Sequence, residues 1–209
     1  MIKTNPISIP EYLSRYRKDE VLTLTGPLYC DKETEIGFTE PVIFVDGGTQ
    51  WRLGEEGIAV GDGDSSQFKM DILLNPDKDF SDLAFTLKQI PLGFTTLHLS
   101  GFLGGRRDHE LFNLGEVYRF LKSRHGTGQA TFDDKITGYA AGQWKIERHG
   151  RFSIAVLEDT RLTLTGDVCY PCLQPTRFNI LSSLGLSNVG SGTIYLDCDA
   201  PVYVLLEDS

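Results

Sequence analysis

The chain has no run approaching the eighteen or so apolar residues that a bilayer-spanning helix needs. Its first twenty residues lack the apolar stretch of an export signal. Basic residues are in short supply: 20 Lys plus Arg stand against 29 Asp plus Glu, for a net charge of −9. A general nucleic-acid binder needs a basic face to neutralise phosphates, so that class is excluded and no nucleic-acid or membrane partner is expected. A nucleotide is not excluded, because bound cations can supply the missing positive charge. Only four cysteines are present in 209 residues, which fits a reducing compartment better than a disulfide framework. There is no internal repeat and no low-complexity segment. A cytoplasmic enzyme or binding protein is the expectation, with one large or two small domains.

What is plentiful is glycine, at 22 residues and in clusters: Gly47-Gly48, Gly61 and Gly63, Gly104-Gly105, Gly190 and Gly192. Clustered glycines mark tight turns or close backbone approach. Short apolar runs at 21–25, 42–45, 58–60, 72–74 and 95–100 read as strands, several ending in Gly or Asp-Gly. A helix beginning near Ser81 buries Leu83, Leu87 and Ile90 at i, i+4, i+7, and one beginning near Asp108 buries Leu111, Leu114, Val117 or Tyr118, and Leu121. Residues 1–20 read as a polar extension with a turn or two of helix around 12–17. Continuous apolar strands interleaved with helices predict a mostly parallel, Rossmann-like α/β domain over 21–125. Beyond that, short runs at 136–140, 144–148, 152–157, 162–165, 178–181, 193–197 and 202–206 predict an all-β sandwich over 126–209.

In an open α/β sheet, ligands bind beyond the carboxyl ends of the strands. Here those ends carry Asp46, then Asp62 and Asp64, then Asp77 and Asp79, and finally Asp108. Acids converging on one edge repel each other unless a cation sits among them, and carboxylate oxygens are the ligands Mg²⁺ prefers. Lys78, Arg106 and Arg107 stand in the same loops and suit phosphate oxygens. Together they read as metal-assisted phosphoryl chemistry. A plainer reading stands beside it. Asp79 and Asp82 imitate caps of the helix at Ser81, and Asp62-Gly63-Asp64-Ser65 imitates a simple turn.

Other signals carry less. No glycine-rich run ends in Lys-Ser/Thr, so a Walker-type phosphate loop is absent. His109-Glu110 starts like a zinc-protease helix, but Asn113 stands where the second His belongs. Cys169 and Cys172 form a lone CxxC among strands, and packing is the expected role of all four cysteines. His98 reads as a satisfied core or edge histidine, and Trp51 and Trp144 read equally as packing or as binding residues.

Five short motifs occur in an order that resembles the thiamine pyrophosphokinases: Asp46-Gly47-Gly48, Gly61-Asp-Gly-Asp-Ser65, Asp77-Lys-Asp-Phe-Ser-Asp82, Gly104-Gly-Arg-Arg-Asp-His109 and Leu186-Ser187-Asn188. The resemblance covers roughly residues 21–206. It implies an α/β nucleotide-binding catalytic domain, a β-sandwich thiamine-binding domain and a homodimer with active sites between subunits. It also implies transfer of the pyrophosphoryl group of ATP to the hydroxyl of thiamine, giving thiamine diphosphate and AMP with Mg²⁺ as cofactor. Mapped by motif, Asp62, Asp64 and Asp79 look like the metal-binding acids, and with Arg106 and Asp108 they form the implied catalytic set. Asp46, Gly47, Gly48, Lys78, Ser81, Asp82, Arg106 and His109 look like the nucleotide-handling set. Tyr170, Ser187 and Asn188 match positions that hold thiamine, whose permanent positive charge suits an aromatic face.

The chain departs from the family between residues 26 and 41 and between 48 and 61, where segments are short and one usual helix is missing. Thr49-Gln50-Trp51 replaces the common Ala-Asn-Arg, Gly63 replaces a larger residue, and Ser81 replaces a Thr. Two alternatives therefore remain: a relative acting on another heterocyclic alcohol such as a pterin, or a protein that binds thiamine or nucleotide without turnover.

Overall fold

The computed structural model describes residues 7–29, 40–52, 56–64 and 68–206. The chain divides into two compact units, Met1–Glu116 and Val117–Ser209.

The first unit opens with α1 (Ile9–Leu13), capped by the Ser8 side chain, which accepts from the Glu11 N–H. Strands β1 (Leu22–Thr25), β2 (Val42–Val45), β3 (Ile58–Gly61), β4 (Ile72–Leu73) and β5 (Thr96–Ser100) follow, with α2 (Asp82–Gln89) between β4 and β5; α3 (Arg107–Lys122) begins in this unit and ends in the second. Every described pairing is parallel: β1 with β2 and β5, β2 with β3, β3 with β4. All four residues of β2 and of β3 are buried. This explains why they read as unbroken apolar runs rather than alternating ones. Val42, Phe44, Ala59 and Met70 form one core cluster, with Trp51 packed against it. Leu83 and Leu87 of α2 and its C-cap Ile90 are buried as their spacing requires. In α3 the buried set is Val117, Tyr118, Phe120 and Leu121, whereas Leu111 is exposed.

The second unit contains β6 (Gln129–Phe132), β7 (Ile136–Tyr139), β8 (Gly142–Ala155), β9 (Thr160–Val168), β10 (Cys172–Phe178), β11 (Asn188–Cys198) and β12 (Val202–Leu206). Neighbours in the order β10-β9-β11-β8-β12-β7-β6 pair antiparallel. The long β8 pairs with β11 from Gly142 to Phe152 and with β12 from Phe152 to Ala155. Alternate residues such as Phe152 and Ile154, Leu162 and Leu164, Ile194 and Leu196 supply its core.

These observations correct the expected fold class. Among the described residues the protein is mostly β, with twelve strands and few helices. It is not a Rossmann-like α/β domain followed by a separate sandwich. The parallel strands misled because a buried parallel strand has the same composition whether a helix or a loop follows it. Among the described residues no α-helix lies between β1 and β4, and a 3₁₀ turn (Asp46–Trp51) follows β2. In the second half, the run at 144–148 and the first four residues of the run at 152–157 belong to one strand, β8. Cross-strand continuity between such runs is not visible in local composition.

Candidate active site

The first unit brings three acids together. Oxygen atoms of Asp46, Asp62 and Asp82 all lie within 4.8 Å of one another. Each arrives from a different element. Asp46 follows β2 and opens the 3₁₀ turn with φ +52°, a left-handed conformation that Asp tolerates better than most residues. Asp62 follows β3, and Asp82 is the first residue of α2.

Glycines let this convergence happen. A Cβ on Gly48 would stand 2.1 Å from the Thr25 carbonyl oxygen, so the turn after Asp46 closes on the end of β1 only with glycine there. A Cβ on Gly61 would lie 3.1 Å from both Asp46 Cα and Asp82 Oδ2. The bare backbone at Gly61 is what allows those two acids to approach across the end of β3.

Lys78 enters the same cluster. Its Nζ donates to Asp62 Oδ2 at 2.5 Å and lies 2.9 Å from Asp82 Oδ1, the latter an ion pair rather than an aligned hydrogen bond. The side chains of Lys78, Asp62 and Asp82 are 8%, 12% and 8% exposed. An Asx turn presents the lysine: Asn75 Oδ1 accepts from the Asp77 N–H and the Asn75 carbonyl from the Lys78 N–H. The Lys78 ammonium holds the Asp62 carboxyl below the ordinary carboxylate range. Burial pushes the Asp82 carboxyl up, and Lys78 only partly offsets this. Burial also works against the Lys78 charge, yet its two acidic neighbours outweigh it and raise the ammonium's pKa.

The other expected residues of this unit sit around or apart from the cluster. Asp64 is exposed, and its N–H donates to Asp62 Oδ1 at 3.2 Å. The turn reading of that motif and its place at the acids therefore coexist. Asp79 is exposed and outside the three-acid group. Ser81 caps α2, its Oγ accepting from the Ala84 N–H at 3.1 Å, which leaves Asp82 to face Lys78. Arg106 holds Asp108 with two hydrogen bonds, 3.2 and 2.6 Å, at the exposed start of α3. The guanidinium keeps the Asp108 carboxyl below its ordinary range, and Asp108 Oδ1 also accepts from the His109 N–H. Gly47 is buried in the 3₁₀ turn beside Pro27. Ser65 and Cys30 lie outside the described residues.

In the second unit, the Asn188 side chain holds the Tyr170 backbone, and Ser187 directly precedes Asn188. Asn188 Oδ1 accepts from the Tyr170 N–H, and Asn188 Nδ2 donates to the Tyr170 carbonyl. Ser187 has φ +59°, and its N–H donates to Ser153 Oγ. The Tyr170 side chain is 69% exposed. Cys172 pairs with Leu164 across β9 and β10, while Cys169 lies beyond the end of β9. Cys198 is buried, and its thiol donates to the Ala140 carbonyl, a packing role.

Sequence reasoning named Asp46 and Asp82 for other tasks and did not name Gly61 as a site residue. The available signal was its position, a glycine closing an apolar strand directly before an acid. Hard oxygen donors from three separate elements with partial burial suit a divalent cation such as Mg²⁺.

No family model matches the sequence, and no curated protein matches it. Solved structures do match. A thiamine pyrophosphokinase from Bacillus subtilis shares 21% identity, covering 91% of this chain and 100% of its own, with a TM-score of 0.66. One from Geobacillus thermodenitrificans gives 21% identity, 91% and 99% coverage and 0.66. One from Candida albicans gives 12% identity, 94% and 90% coverage and 0.64. Among the described residues no helix is long and apolar enough to cross a membrane. The chain has the fold of the thiamine pyrophosphokinases.

Proposed function

We propose that this protein is an ATP-dependent thiamine pyrophosphokinase, transferring the pyrophosphoryl group of ATP to the hydroxyl of thiamine and releasing AMP. The observation that supports it most is the meeting of Asp46 and Asp62, at the carboxyl ends of the parallel strands β2 and β3, with Asp82 at the start of α2, in a chain with this fold. Such a site has little use for a protein that only packs, because three acids held this close carry more negative charge than the single Lys78 ammonium offsets.

In this reading Asp46, Asp62 and Asp82 hold Mg²⁺, with exposed Asp64 and Asp79 beside them. When bound, the ion neutralises charge on the β- and γ-phosphates. Lys78, Arg106 and His109 contribute positive charge or N–H groups to phosphate oxygens, and Gly47 and Gly48 let the backbone come close to the nucleotide. One of the acids accepts the proton of the attacking hydroxyl. Tyr170 offers an exposed aromatic face to the thiazolium cation, and Ser187 and Asn188 shape the loop around it. Exposed Tyr170, Leu173, Leu184 and Leu186 in the same unit favour a homodimer that covers them. The cytoplasm is the location proposed with this activity.

The test is AMP release from ATP and Mg²⁺ with and without thiamine. Thiamine-dependent AMP with matching thiamine diphosphate supports the reading. Thiamine binding by calorimetry without AMP points to the non-catalytic alternative, and silence in both assays to a different acceptor alcohol.

A further inference from the structure

The Lys78 ammonium sits on two of the three acids that a divalent ion would need. It contacts one oxygen on Asp62 and one on Asp82 at 2.5 and 2.9 Å. Mg²⁺ bound to those same oxygens would sit about 2.0–2.1 Å from each, in or directly against the volume the ammonium fills. Two cations that close, among side chains about one-tenth exposed, repel strongly because little water screens them. The lysine stem is flexible and carries a compact charge, so the ammonium can leave the acids without moving the backbone at Asn75–Lys78.

We propose that Lys78 is the resident counter-cation of the acid cluster, and that a divalent ion enters by exchanging with its ammonium. The inference rests on the metal-dependent reading given above. Without metal, Lys78 offsets part of the repulsion among Asp46, Asp62 and Asp82 and keeps the loops closed. With metal, those oxygens pass to the ion and the released ammonium turns toward an anionic group, for which a phosphate oxygen of the nucleotide is the natural acceptor. The exchange makes Lys78 a specificity device. It weakens metal binding to the empty protein and reserves tight binding for the moment when an anion is present to receive the ammonium.

The experiment is a Mn²⁺ titration of nucleotide-free, thiamine-free protein, followed by the electron paramagnetic resonance signal of free Mn²⁺. Lys78→Met, which keeps the stem and removes the charge, is expected to bind Mn²⁺ at least tenfold more tightly than wild type. Equal or weaker binding by a folded Lys78→Met protein, with circular dichroism as the fold control, overturns the exchange and leaves the metal reading standing. A second measurement needs no variant: acetylation of Lys78 by acetic anhydride, located by mass spectrometry, is expected to rise at least threefold at saturating Mn²⁺. Unchanged labelling with Mn²⁺ bound overturns the proposal. Absence of Mn²⁺ binding to either protein, with or without ATP, removes the metal reading itself and the exchange with it.

Discussion

Asn188 holds Tyr170 by its backbone from both sides, accepting from the Tyr170 N–H at 3.1 Å and donating to the Tyr170 carbonyl at 2.9 Å. The amide is 9% exposed, and its oxygen also accepts from the Val189 N–H. Asn188→Ala therefore strands several backbone groups and is expected to cost about 2–3 kcal/mol, read from urea unfolding. Tyr170→Ala leaves that frame intact. It is expected to raise the thiamine KM about tenfold with an unchanged urea midpoint. An equal loss of ATP affinity would count against the role given to Tyr170.

The glycine positions separate stability from site geometry. Gly48→Ala drives a methyl into the Thr25 carbonyl and is expected to destabilise by about 3 kcal/mol. Gly61→Ala meets Asp46 and Asp82 at 3.1 Å, a contact that a small shift relieves. It is expected to cost about 1 kcal/mol of stability while weakening Mn²⁺ binding about tenfold. A Gly61→Ala protein with wild-type Mn²⁺ affinity would show that the two acids do not act together.

Glu40 ties the N-terminal segment to the sheet, accepting from the Tyr16 hydroxyl and from the Gly57 N–H. The Tyr16 hydroxyl bond, then that of Gly57, holds its carboxyl below the ordinary range, with burial opposing them. A depressed folded-state pKa gives stabilisation that is present above the unfolded value and lost as pH falls through the folded one. The urea midpoint of wild type is expected to fall more steeply than that of Glu40→Gln as pH drops from 6 to 3. Parallel curves would contradict the assignment.

Asp62→Asn keeps the side-chain shape and removes one charge from the cluster. A loss in kcat of about 100-fold or more is expected, the scale of removing one strong electrostatic contact to a reacting group. Asp64→Asn, at an exposed carboxylate, should cost less. Wild-type turnover in both variants would remove the metal assignment.

The parts of this account that were legible in sequence are those fixed locally. Ser81 before an apolar i, i+4, i+7 stripe gives the cap and buried face of α2, and the apolar runs ending in Gly or Asp give β2 and β3. The acids after those strands were visible as an inventory, but their grouping was not. Asp82 read as a helix cap or nucleotide contact because nothing local shows that Ser81 caps α2 alone, or that Lys78 turns Asp82 toward Asp62. The β-rich fold was hidden for a similar reason. Strand composition reports burial, whereas joining β8 into one strand with β11 and β12 as partners depends on pairing between residues far apart in the chain.

The most direct test of the central claim follows the phosphates themselves. ATP labelled at the β- or the γ-phosphorus is supplied with Mg²⁺ and thiamine, and the products are separated. The account predicts both labels in thiamine diphosphate and unlabelled AMP as the by-product. Label from the γ-position alone, with ADP left behind, would show single phosphoryl transfer and contradict it.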